Sequence, residues 1–105
     1  MHIQSRDPQA TIPPEVRARI EEALNDAATS RQRQLEDLPP PTDGDSTPNS
    51  ALRGTVERIL TEIRAAQDRL AVGTFGICRR CGATIPIERL ELRPWVDTCV
   101  RCADR

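Results

Sequence analysis

The chain has 105 residues, one Trp, one Phe, no Tyr, 37% hydrophobic residues and a formal net charge of −1. That is at most one small domain with an appendage, and a core this thin calls for a staple. The missing aromatics argue against a binder that stacks bases, the near-zero charge against a general polyanion binder, and the lack of any long apolar run against a membrane span.

Residues 1–13 read as a flexible tail: they are polar, without periodicity, and contain the chain's single histidine, His2. No hydrophobic stretch opens the chain, so a secretory signal is not expected and a cytoplasmic location is. All 15 basic residues are arginines, a bias that genomic base composition explains without any function.

Pro13 and Pro14 mark a helix start, because proline costs nothing in the first turn, and Glu15 suits the positive end of the helix dipole. From Pro14 to Leu38, Val16, Ile20, Ala23 or Leu24, Ala27, Leu35 and Leu38 recur at helical intervals. The stripe weakens at Ser30, Arg31 and Gln34. Pro39-Pro40-Pro41 ends this helix, and the run to Ser50 is turn chemistry, giving a tip loop over 39–50. Thr47-Pro48 is a restart signal, with Thr47 as cap and Ser50 as the alternative cap. The second helix, roughly Asn49 to Val72, carries Leu52, Val56, Ile59, Ile63, Ala66 and Leu70 in a heptad seam and stops at Gly73.

Two striped helices joined by a short turn pack most simply as an antiparallel hairpin over 14–72, although the same stripes could pair two chains. Between Gln34 and Leu52 stand four acids (Glu36, Asp37, Asp43 and Asp45) and no arginine. Such a turn is ordinarily just solvated, yet a protruding tip of one sign is suited to probing a cationic or metal-containing pocket.

The remaining segment, 73–105, holds all four cysteines as Cys78-Arg-Arg-Cys81 and Cys99-Val-Arg-Cys102. Paired C-x2-C motifs at this separation are a zinc signature, and four thiolates leave no open coordination position, so the metal is structural. Disulfides need an oxidising compartment and a thioredoxin-type pair needs a βαβ context, while an iron–sulfur cluster remains possible on ligand type. Arg79, Arg80 and Arg101 beside the cysteines offset the negative charge of such a centre.

The run Gly73-Thr-Phe75-Gly76-Ile-Cys78-Arg-Arg-Cys81-Gly82, followed by Ile85, Arg89-Leu90, Arg93-Pro94, Cys99 and Cys102, resembles the DksA/TraR family of bacterial C4 zinc-finger regulators. The resemblance implies a mainly α fold: an antiparallel two-helix coiled-coil hairpin followed by a small C4 zinc finger. It also implies one structural Zn²⁺ and direct binding to RNA polymerase rather than to nucleic acid. In that family the hairpin enters the polymerase secondary channel and its acidic tip approaches the catalytic Mg²⁺, often together with the alarmone ppGpp. Asp43 and Asp45 would be the tip acids here, although the tip reads Asp43-Gly-Asp45-Ser rather than two acids separated by two residues. Sequence offers nothing for ppGpp itself. Trp95 either covers the zinc knuckle or anchors a partner. Two other functions fit the same residues: a zinc-stabilised adaptor that binds another protein, and a finger that binds DNA. Glu88, Glu91 and Asp97 break up the basic face that the second would need. An enzyme is not expected, since no open metal position or enclosed site is foreseen.

Overall fold

The computed structural model describes residues 12–40 and 48–103. Their fold is mainly helical: α1 (Pro14–Asp37), α2 (Pro48–Val72), α3 (Ile87–Leu92) and α4 (Val100–Ala103). The molecule is elongated, 61 × 30 × 21 Å. No helix among the described residues is long and apolar enough to cross a membrane.

Helix α1 begins where its two prolines dictate. The Pro13 carbonyl accepts the N–H groups of Val16 and Arg17 at 3.0 and 2.9 Å, while Pro14 has no N–H to leave unpaired. The helix ends one residue before the proline run, with Leu38 extended at φ −77°, ψ 148°, as a residue preceding proline prefers. Helix α2 starts at Pro48, inside the span expected to be loop, and Thr47, its expected cap, lies outside the described residues. It stops at Gly73, whose φ of +89° is left-handed. The N–H groups of Gly73 and Thr74 both donate to the Arg69 carbonyl, at 2.9 and 3.0 Å, closing the helix end.

The two helices pack antiparallel. Gln67 donates to Asn25 at 2.8 Å, Arg64 to Gln32 at 3.1 Å, and Arg53 to the carbonyls of Leu38 and Pro39 at 3.4 and 2.8 Å. Earlier residues of α2 thus meet later residues of α1. The Arg53 contact also places a cation on the open carbonyls at the α1 C-terminus, where the helix dipole favours it.

The seam differs in detail from a strict heptad. On α2 the buried residues are Val56, Leu60, Ile63, Ala66 and Leu70. Leu60 is buried where the heptad pattern points to Ile59, which is only partly buried. Leu52 is 41% exposed: α1 is already ending where Leu52 would need a partner. On α1 only Ile20 and Leu24 are fully buried, with Val16 and Ala27 packed at the margin. Beyond them, Arg31, Gln34, Leu35 and Leu38 are half-buried, while Ser30 is exposed.

One hydrophobic cluster joins the hairpin base to the C-terminal segment. Ile12, Ile20, Leu24, Ile63, Ala66, Leu70, Phe75, Cys78, Ile85, Leu90 and Cys99 form it, and Phe75 is completely buried. Ile12 falls within the stretch expected to be tail, yet it packs here at 6% exposure. Residues 1–11, including His2, lie outside the described residues. An exposed ion pair, Arg19 with Glu91 at 2.9 Å, ties α1 to α3.

Candidate metal centre

The first cysteine knuckle is built on a single antiparallel bridge between Ile77 and Thr84. The Cys78 N–H donates to Ala83 at 2.8 Å, the Ile85 N–H to Gly76 at 2.8 Å, and the Gly82 N–H back to Cys78 at 3.0 Å. Closing so tight a loop requires left-handed backbone at Gly82, with φ +79°. A Cβ there would meet nothing within 4 Å, so the requirement is conformational rather than steric.

The second knuckle is the first turn of α4. The Cys99 carbonyl accepts the N–H groups of Cys102 and Ala103 at 3.1 and 2.9 Å, bringing Cys102 round beside Cys99. The approach to this turn is fastened to the rest of the finger. Arg79 N–H donates to the Asp97 carbonyl at 2.8 Å, and its guanidinium pairs with the Asp97 carboxylate at 3.0 Å. Arg89 Nε donates to the Thr98 carbonyl at 3.0 Å. Arg79 is therefore engaged by Asp97, whereas Arg80 and Arg101 stand exposed beside the sulfurs. Trp95 is half-buried and packs against the shared cluster.

These two knuckles bring all four thiols together. The Sγ atoms of Cys78, Cys81, Cys99 and Cys102 lie within 4.8 Å of one another, and none is in a disulfide. Four sulfurs at ~2.3 Å from one ion would stand ~3.8 Å apart. The Cys81 and Cys99 sulfurs are 3.7 Å apart, which matches that tetrahedron.

The electrostatics call for a cation. Burial pushes the Cys78 thiol up, but the N–H groups of Cys81, Cys99 and Arg80 and the Cys81 thiol outweigh it and hold it at about 6. Cys99 is lowered chiefly by the Cys102 N–H, against burial. Cys102 is pushed up to about 12 by burial and by the three other sulfurs. The first thiolates form readily and the last resists, because it is buried, because it hydrogen-bonds to the other sulfurs, and because the Cys78 thiolate repels a second charge beside it. A dication relieves that repulsion, so the donor set fits Zn²⁺ by number, type and spacing. Asp43 and Asp45, the expected tip acids, lie outside the described residues.

Fold and site together define a helical-hairpin protein with a structural C4 zinc finger. Comparison with known proteins places it more closely. Residues 73–105 match the prokaryotic dksA/traR C4-type zinc finger. The chain is 34% identical over 98 residues to an uncharacterized protein of Aquifex aeolicus, covering 86% of this chain and 68% of that one. It is 38% identical over 50 residues to the RNA polymerase-binding transcription factor DksA of Haemophilus influenzae, covering 48% of this chain and 34% of that protein. The Escherichia coli DksA match is 34% over 50 residues, a third of that protein's length. Among solved structures, transcription factor DksA2 of Pseudomonas aeruginosa superposes with a TM-score of 0.66 at 24% identity, covering 91% of this chain and 86% of that one. The DnaK suppressor protein of Agrobacterium tumefaciens gives 0.61 at 29% identity, covering 81% and 88%. The chain belongs to the DksA/TraR C4 zinc-finger family.

The convergence of the four cysteines is thus legible from spacing alone. What sequence reasoning missed is the fastening of the second knuckle by Arg79, Asp97 and Arg89. Its one available signal was an Arg beside the first cysteine with an acid two residues before the third.

Proposed function

We propose that this chain is a bacterial transcription regulator that binds RNA polymerase through its secondary channel. The observation that carries this reading is the hairpin itself: two antiparallel helices, ~36 Å long at 1.5 Å per residue, projecting from a metal-stapled base. The acidic segment falls in the sequence between its two helices, and a relative that matches over 50 residues is named for binding RNA polymerase. On this reading residues 14–72 are the probe and 73–105 the finger. Cys78, Cys81, Cys99 and Cys102 hold one Zn²⁺ whose role is to fold the finger. Asp43 and Asp45 are the acids presented toward the polymerase active centre. Arg79 and Arg89 are engaged within the finger, and Glu88 and Glu91 are interspersed among its other arginines, which argues against nucleic acid as the direct partner. The reading includes no catalytic role and places the protein in the cytoplasm with its partner.

The test is capture of core RNA polymerase by the zinc-loaded protein, followed by transcription in vitro. Wild type should bind and alter initiation. Asp43→Asn/Asp45→Asn should bind comparably and lose the effect on initiation. Failure of wild type to bind polymerase at all refutes the proposal and leaves the adaptor function as the reading to pursue.

A further inference from the structure

The hairpin seam is not uniform along its length. The continuous hydrophobic cluster that includes the finger ends at Ile63 on α2 and at Leu24 on α1, with Ala27, Ala28 and Ile59 at its margin. Val56 and Leu60 are buried, but they stand outside that cluster. Opposite this half, α1 contributes no fully buried side chain after Leu24. At the boundary sits Arg31, half-buried on the seam face. Its Nε is buried without a hydrogen-bond partner, and Nη1 makes only a 3.4 Å contact with Gln34. A buried unpaired donor is costly, and a guanidinium where a leucine would fit forfeits apolar burial. The distal half is held instead by polar clamps, Arg64 with Gln32 and Arg53 on the last carbonyls of α1. Such contacts exchange readily with water and add little stability.

We propose that the hairpin consists of two cooperative units divided at Arg31, and that the distal unit, residues 31–40 and 48–60, opens locally while the base and the finger stay folded. Arg31 is the device that sets the division, since it interrupts the seam where a single apolar residue would have joined Val56 and Leu60 to the basal cluster. Glu36 and Asp37 lie in this unit, and Asp43 and Asp45 lie in the segment between its two helices. The acidic end of the molecule can therefore reorganise on a partner without loosening the metal centre.

Amide hydrogen exchange on the zinc-loaded full chain tests this. Amides of 32–37 and 52–59 should exchange at least about tenfold faster than those of 20–27 and 63–70, with the change falling as a step at Arg31 and Leu60. Arg31→Leu should slow exchange of the distal amides by about tenfold or more, through added apolar burial, and leave the basal amides unchanged. Arg53→Ala should do the reverse, speeding exchange in the distal unit alone. A smooth gradient toward the turn that R31L does not alter is ordinary end fraying and overturns the proposal. Equal protection of the two halves in wild type overturns it as well, as does an R31L effect spread evenly over both.

Discussion

Replacing Phe75 by alanine tests whether hairpin and finger are one cooperative structure. Phe75 is 0% exposed and lies in the cluster shared by α1, α2, α3 and both knuckles. Removing a fully buried phenylalanine costs about 3–5 kcal/mol, the transfer free energy plus the cavity left behind. A small domain has about 5–15 kcal/mol in total, so the variant should remain folded with little margin. At about 1.4 kcal/mol per factor of ten, the ratio of folded to unfolded protein should fall by roughly two to three and a half orders of magnitude. Guanidinium titration of the zinc-loaded protein can be followed by far-UV circular dichroism, by the fluorescence of the single Trp95, and by zinc release to a coloured chelator. These signals report on the hairpin, the core margin and the finger respectively. All three midpoints should move down together. If zinc release moves while the helical transition keeps its midpoint, the two parts unfold independently and the argument from a continuous core is wrong. Leu52→Ala is the control: at 41% exposure it should shift all three by well under about 1 kcal/mol.

Cys99→Ser should abolish stoichiometric zinc binding and the Trp95 signal of the folded finger, since the ligand set has no spare donor; a variant that still holds one tightly bound zinc would show that the four sulfurs are not the site. Zinc affinity should fall as pH falls, and fall more steeply below about 6. Above that value Cys78 is already a thiolate in the folded site, whereas below it zinc must displace one more proton, so competition with a chelator across this range should show the slope increase. Gly82→Ala should destabilise the finger by about 1–2 kcal/mol through backbone strain at φ +79° alone, because open space surrounds the position; thermal melts giving no change would remove the strain argument.

The punctuation of this fold is written locally, which is why the helix limits could be read from sequence. Prolines at 13–14 and 39–41 and glycine at 73 act on their own neighbours through ring geometry and left-handed backbone. The cysteine spacing is equally local, since each pair forms a tight turn whatever surrounds it. The fine packing was not legible, because it depends on what lies across the interface. Leu60 is buried where the heptad pattern points to Ile59, which is only half-buried against the cluster. Leu52 is exposed because its partner helix has ended. Ile12 is drawn into the core by a finger more than sixty residues further on, a contact that no local pattern announces. Nor could spacing reveal that Arg79 is occupied by Asp97, since the two meet only after both knuckles have closed.

The burial of Ile12 in one cluster with Leu90 and Cys99 bears on how the chain is made. The two helices can pair as soon as α2 has emerged from the ribosome, because their contacts are with each other. The base of the hairpin cannot close until the second knuckle has been synthesised, since Ile12 and Cys99, far apart in sequence, both complete it. During that interval Ile20, Leu24, Ile63 and Leu70 are left partly uncovered at the lower end. The nascent protein is then a half-zipped hairpin with a sticky foot, and arrival of the last cysteines, with their metal, covers it.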